Sequence, residues 1–253
     1  SGSKVWEYDA GYPVVASPLV VGDTLYVGSS NEKFHAVDAS LGRGIWVSEG
    51  YPGYMESRPC ADDRHIYTGG WEGRFWAINR TTGEKVWEYN IGKGRNFSPG
   101  ACWPVITEGK IFVQSSDKVL RGYTPDGAVI WENTSAQGRE SMGLSADGKT
   151  LYVKGTTDTF TAFDLTKEGY PVKWETKMPY EYNFIPTAPA EIPGKGVVLA
   201  ADTFGTVCAV GSEGEGLQWQ YKISNCAVTS FCATPDGGAI AMTMDGKIVK
   251  LVF

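Results

Sequence analysis

Ala36-Val37-Asp38-Ala39-Ser40-Leu41-Gly42-Arg43-Gly44-Ile45-Trp46 returns in outline as Ala77-Ile78-Asn79-Arg80-Thr81-Thr82-Gly83-Glu84-Lys85-Val86-Trp87. Both stretches read A-x-[DN]-x-x-x-G-x-x-x-W: a short apolar strand, a turn around glycine, then a strand carrying tryptophan. Outward from these two copies, Trp6, Trp46, Trp87, Trp131, Trp174 and Trp219 follow one another at intervals of 40, 41, 44, 43 and 45 residues. A period of this size, with several short strands in each unit, is the signature of a propeller built from repeated sheets.

Four strand signals fall in each unit. The first runs Ala16 to Val20, Leu25 to Gly28, Phe34 to Asp38 and the strand of Trp46. The second repeats this with Arg58 to Cys60, His65 to Gly69, Phe75 to Asn79 and Trp87. The third keeps Pro104, Ile111-Phe112-Val113, Gly127 and Trp131, with Gly122-Tyr123 in place of the alanine and its follower. Leu151-Tyr152-Val153, Ala162, Asp164 and Trp174 mark the fourth, and Val197-Val198-Leu199, Ala209 and Trp219 the fifth. The sixth offers three strands, Thr229 to Cys232, Ala239 to Met242 and Lys247 to Phe253, while Lys4-Val5-Trp6-Glu7-Tyr8 reads as a fourth strand with no preceding three.

These deficits are complementary, and pairing them removes two exposed sheet edges. The expected fold is therefore an all-β, six-bladed β-propeller of four-stranded antiparallel blades, closed by an N-terminal strand that completes the last blade. Residues 1–3 read as a tag remnant and 4–253 as a single propeller. Blades are expected near 9–46, 47–87, 88–131, 132–174, 175–219 and 220–253 plus 4–8. The recurring tryptophans Trp6, Trp46, Trp87, Trp131, Trp174 and Trp219 are expected to be structural, each filling the wedge between outer strands.

Composition agrees. Thirty-two glycines, thirteen prolines and 13% aromatic residues disfavour helix and favour strands. A net charge of −6 opposes a grip on polyphosphate, so no nucleic acid partner is expected. No apolar run approaches the ~18 residues of a transmembrane helix. Five scattered cysteines lack C-x-x-C spacing and read as small buried hydrophobes, although Cys226 and Cys232 are close enough in sequence to pair in an oxidising compartment.

Tyr26-Val27-Gly28-Ser29, Ala36-Val37-Asp38 and Gly42-x-x-x-Trp46, with their later copies, resemble the PQQ-type propeller repeat. That repeat occurs in quinoprotein dehydrogenases, in the outer-membrane assembly lipoprotein BamB and in many exported bacterial proteins. The resemblance covers essentially the whole chain and implies a periplasmic, secreted or outer-membrane-associated bacterial protein whose leader lay upstream. Arg139 to Lys154 and Thr243 to Lys247 also resemble, more loosely, propeller domains attached to calcineurin-like metallophosphoesterases. No metal-binding Asp/His cluster of such an enzyme can be found in the sequence.

In this topology the loops entering each first strand open on the same face as the loops joining second and third strands. A ligand funnel is expected there, built from Tyr54, Glu56, Arg58, Trp71, Arg95, Phe97, Trp103, Arg139, Glu140, Glu181 and Tyr182, with Asn31, Glu32, Glu72, Arg74, Asp117, Lys118 and Asp158 nearby. Rings beside charged and amide groups suit a protein partner or a small polar ligand such as a sugar or peptide. The plainer alternative has Arg58, Arg95, Arg139, Glu56 and Glu140 closed into ion pairs lining a wet channel. His35 falls within a third strand and His65 at the start of a second, towards the opposite face, so both are expected to be structural.

The function that follows is a non-catalytic binding or scaffold module, monomeric, with no catalytic residue, metal or cofactor expected. The enzyme alternatives are a PQQ-dependent dehydrogenase, carboxylate-based hydrolase or lyase chemistry, or an accessory role beside a metallophosphoesterase. What the family implies for quinone chemistry is a larger, eight-bladed propeller, usually with vicinal cysteines and a calcium site. This sequence contains no adjacent cysteines.

Overall fold

A computed structural model describes residues 2–92, 100–180 and 187–253. All described secondary structure is β, in antiparallel sheets that follow chain order. The first sheet contains β1 (Leu19–Val21), β2 (Thr24–Ser29), β3 (Lys33–Asp38) and β4 (Gly44–Glu49), and the second β5 (Cys60–Ala61), β6 (His65–Gly70), β7 (Arg74–Asn79) and β8 (Lys85–Asn90). The third holds β9 (Val105–Thr107), β10 (Lys110–Gln114), β11 (Leu120–Tyr123) and β12 (Val129–Asn133), and the fourth β13 (Gly138–Leu144), β14 (Thr150–Gly155), β15 (Thr159–Asp164) and β16 (Val172–Lys177). The fifth comprises β17 (Ala190–Ile192), β18 (Val197–Ala201), β19 (Thr206–Gly211) and β20 (Leu217–Lys222). The sixth has three strands, β21 (Val228–Ala233), β22 (Ala239–Thr243) and β23 (Ile248–Leu251).

The chain forms two compact units, residues 1–117 with 121–130, and residues 118–120 with 131–253. In the first unit, Tyr26, Phe34, Ile66, Trp76 and Ile78 form one core with Tyr51 and Met55. In the second, one core gathers Tyr152, Phe160, Trp174, Tyr180, Val198 and Cys208, and another Ile192, Leu199, Val207, Val228 and Ala241. Second strands such as β6 are buried at every position, whereas fourth strands such as β8 alternate exposed and half-buried. Inner strands covered on both faces read as continuous apolar runs, and outer strands show water one face.

The repeat motif has a local cause. Asp38 Oδ1 accepts hydrogen bonds from the amides of Ser40 and Leu41 at 2.9 and 2.8 Å, and Asn79 Oδ1 does the same for Thr81 and Thr82 at 2.9 and 3.0 Å. The glycine that follows sits at positive φ, 68° at Gly42 and 77° at Gly83. Alanine lies opposite the tryptophan in four of the sheets (Ala36 with Trp46, Ala77 with Trp87, Ala162 with Trp174, Ala209 with Trp219), leaving room for the indole. That indole caps the turn of the next sheet: Nε1 of Trp46, Trp87 and Trp174 donates to the carbonyls of Arg80, Pro125 and Ser212.

Residues 4–8 form no strand, so the fourth strand expected for the last sheet is not seen there. The side-chain contacts that fix this segment are with the first sheet. Trp6 Nε1 donates to Ala39 O at 2.9 Å, and Tyr8 Oη lies 3.0 Å from His35 Nδ1. All five cysteines are free thiols, Cys226 and Cys232 included.

Candidate functional site

The best-formed loop cluster lies in the first unit, around the segment entering the second sheet. Tyr51 and Met55 anchor that segment, each at most 1% exposed. The Tyr51 hydroxyl lies 2.7 Å from Ser48 Oγ, Lys85 stands 4.8 Å over its ring, and burial pushes the phenol pKa up to about 12. Met55 lies against Gly28, where an added Cβ would come within 2.6 Å of Met55 Cβ, so only glycine lets the loop approach β2 this closely. The amide of Tyr51 donates to Glu32 O at 3.2 Å and that of Trp71 to Tyr54 O at 3.3 Å. The entering loop is thereby tied to the β2–β3 and β6–β7 turns.

These ties leave a cavity of about 510 Å³ between the turns. Glu32, Glu72 and Arg74 line it with Ser30, the Pro52-Gly53 backbone and Tyr54, whose side chain is 46% exposed. Arg74 pairs with Glu88, which also accepts from Trp76 Nε1 at 2.9 Å. The side chains of Glu32, Glu56 and Glu72 have no hydrogen-bond or ion-pair partner among the described residues.

A second strip continues from the first. The Trp71 indole lies against Gly100, where a Cβ would fall 2.5 Å from the ring. Ser57 Oγ donates to Cys102 O at 2.6 Å, and the next residue, exposed Arg58, stands 5.1 Å over the ring of half-buried Trp103. Tyr54, Arg58, Trp71 and Trp103 thus lie on three linked segments of a single unit, with Glu56 on the first of them.

Arg139 lies half-buried on β13 in the second unit. Glu140 is on the same strand with its side chain outside the described residues, as are Arg95, Phe97, Glu181 and Tyr182 in full. No ion pair joins Arg58 to Glu56; the Arg–Glu pair formed here is Arg74 with Glu88. Asp117 instead pairs with Arg121 through both carboxylate oxygens, at 3.3 and 2.8 Å.

Both histidines are buried. His35 is held between Tyr8 and Ser29, and burial with the nearby Lys33 charge keeps its pKa below the usual imidazole range. His65 lies 3.3 Å from Tyr67 Oη. No group of three or more His, Cys, Asp or Glu among the described residues is arranged to hold a metal ion, and they include no helix long and apolar enough to cross a membrane.

One functional-looking group escaped the sequence reading. Lys154 is 2% exposed, donates to Ala201 O at 3.0 Å, and has its pKa lowered to about 7 by burial, against the opposing pull of Asp202 and Cys208. The available signal was a lysine in β14 at the position that β2 and β6 fill with Gly28 and Gly69.

A family model described as outer membrane protein assembly factor BamB matches residues 1–100, 52–144 and 77–233. The quinohemoprotein alcohol dehydrogenase of Comamonas testosteroni is 31% identical over 135 residues, 47% of this chain and 19% of that protein. BamB of Alkalilimnicola ehrlichii is 26% identical over 185 residues, 66% of this chain and 45% of that protein. The chain thus spans less than half the length of the curated relatives it matches. Among solved structures, BamB from Moraxella catarrhalis aligns over 100% of this chain and 74% of its own, at TM-score 0.77 and 19% identity. The computationally designed protein Ika8 aligns over 94% of this chain and 70% of its own, at TM-score 0.78 and 11% identity. These likenesses make the six sheets blades of a β-propeller, and the chain belongs to the BamB-type family of PQQ-like propeller proteins.

Proposed function

We propose that this chain is a non-catalytic binding module, exported by a bacterium, that holds a protein partner on the loops around Tyr54, Glu56, Arg58, Trp71 and Trp103. The observation that carries the reading is the exposed Arg58 guanidinium standing 5.1 Å over the Trp103 ring, on the same loop whose exposed Tyr54 edges a cavity. Tyr, Trp and Arg dominate the energetics of protein interfaces, because rigid rings and a planar fork bury area with little loss of conformational freedom. Loops fixed by Tyr51 and Met55 are pre-organised, which lowers the entropic cost of binding. The BamB relatives are named for an assembly role, which supports a scaffold, and their outer-membrane title supports export.

The quinone-linked reading draws on the similarity to alcohol dehydrogenases, but the adjacent cysteines that the family implies are missing from this sequence. A photo-crosslinking residue at position 54 tests the binding reading, with one at exposed Glu168 as control. A discrete crosslinked protein at 54, absent at 168 and lost in Arg58→Ala, is expected. Identical patterns at both positions, or an unchanged crosslink in Arg58→Ala, would count against it.

A further inference from the structure

Lys4-Val5-Trp6-Glu7-Tyr8 is identical, residue for residue, to Lys85-Val86-Trp87-Glu88-Tyr89 of β8, a fourth strand. Trp6 is also placed as a fourth-strand tryptophan. An added Cβ at Gly42 would fall 2.6 Å from its ring, as one at Gly83 would fall 2.7 Å from that of Trp46. Its Nε1 donates to Ala39 O as that of Trp46 donates to Arg80 O. Residues 4–8 therefore stand beside the first sheet in the manner of the last strand of a preceding sheet. They join no ladder, and Val5 is 85% exposed.

Next to this segment an apolar cavity of about 200 Å³ lies among Trp6, Tyr8, Val14, Leu25, Val27 and Val37. At the following seam the matching positions, Ile66 and Ile78 with Trp46, are packed by Tyr26, Phe34, Tyr51 and Met55. In the second unit, the sixth sheet has three strands where the others have four, so β23 presents its outer edge. Gly246 at φ 81° precedes β23 as Gly205 at 84° precedes β19. That offset sets Ile248 at the place of Val207, and Lys250 at that of Ala209, the residue opposite Trp219. Val207 is buried in the core that it shares with Val228 and Ala241 of the sixth sheet. Ile248 is instead 73% exposed, and its ladder partner Met242 44%. A bare strand edge flanked by exposed apolar side chains is a template for another chain.

The chain's own segment does not take that edge: residues 4–8 are held by Ala39 and His35, and the sixth sheet stays three-stranded. We propose that the sixth sheet docks a second copy of this chain, whose residues 4–8 add as its fourth strand while Ile248 and Met242 enter the apolar cavity beside that copy's Trp6. The register of β7 with β8 then puts Trp6 opposite Lys250 and Tyr8 opposite Ile248. Lys250 is tied to Asp236, and its aliphatic stem suits the underside of an indole. The contact is head to tail and uses none of the loops around Arg58, so it is independent of the binding reading above.

The test mixes nitrogen-15-labelled and unlabelled chains, both carrying a photo-crosslinking residue at position 5. Linked peptides are read by mass spectrometry, and mass by light scattering over a concentration series. Links from position 5 to residues 247–252 that join a labelled to an unlabelled peptide are expected, with a mass that rises above that of one chain as concentration increases. Val5→Pro with Glu7→Pro removes two N–H donors and holds φ away from the strand value. It should raise the concentration of half-association by at least about tenfold. Residues 4–8 form no strand within their own chain, so this change spares the fold. Ile248→Glu, made on the other side of the contact, should weaken association in the same way, and Phe204→Ser, at a similarly exposed apolar residue, should leave it unchanged. Links confined to peptides of one isotope would show the segment closing its own chain's sheet and would overturn the proposal. A constant single-chain mass, links that miss β23, or indifference to Ile248→Glu would overturn it as well.

Discussion

The indole of Trp46 donates its Nε1 hydrogen to the carbonyl of Arg80 across 3.2 Å, closing the seam between the first and second sheets at its outer rim. Gly83, three residues further along the same turn, lies under the ring. A Cβ there would fall 2.7 Å from Trp46 Cε3, and the backbone already stands at φ 77°. Gly83→Ala should therefore lose about 2–3 kcal/mol in denaturant titration, combining left-handed strain with a steric clash. Gly22→Ala, at φ 58° with nothing within 4 Å, should lose only about 1 kcal/mol. Equal losses would mean that the indole does not press on the turn.

Trp87 extends the same arrangement, with ring centroids 5.9–6.0 Å from Tyr67, Phe75 and Tyr123. Trp87→Ala should cost about 3 kcal/mol, the lower end for a large aromatic because the ring is only half-buried. Calorimetry showing a change under about 1 kcal/mol would misplace the repeat register.

Lys154 should make stability depend on pH. Its folded pKa near 7 lies below the unfolded value near 10.5, so between these the unfolded chain binds more protons and stability rises with pH. The slope approaches about 1.4 kcal/mol per pH unit at most. Asp202, Cys208 and Tyr180 share this surrounding, and burial raises the Cys208 thiol to about 12, which opposes the rise above pH 9. The informative window is pH 7 to 9, where wild type should gain stability relative to Lys154→Met. Parallel curves would show that the amine titrates normally.

Glu32→Gly should stabilise the fold by about 1 kcal/mol, because glycine adopts the φ of 64° without steric penalty. A destabilised Glu32→Gly in thermal unfolding would mean that the carboxylate supports the turn.

The architecture was legible because its signal is local. Asp38 and Asn79 close their turns onto amides two and three residues on, and the tryptophan follows at a fixed distance, so a single repeat contains its own grammar. The segment 4–8 showed where that stops: its sequence reads as a strand and the structure forms none there, although Trp6 caps the turn at Ala39 just as Trp46 caps the turn at Arg80. Loop residues of the site were also readable as candidates, since aromatics and charges cluster there. Which of them meet was not. Arg58 and Trp103 are brought together through the Ser57 bond to Cys102, a contact between distant segments. Of the expected Arg–Glu closures only Arg58 with Glu56 lies wholly among the described residues and forms no ion pair, while Arg74 and Glu88, neighbours on adjacent strands of one sheet, do.

The central claim is that the loops around Arg58 form the binding face, and hydrogen exchange in the presence of the protein crosslinked at position 54 tests it most directly. Protection confined to residues 50–58, 71–74 and 100–103 is the predicted result. Protection on the outer strands, at Ile45 to Val47 or Val86, with those loops exchanging freely would contradict it.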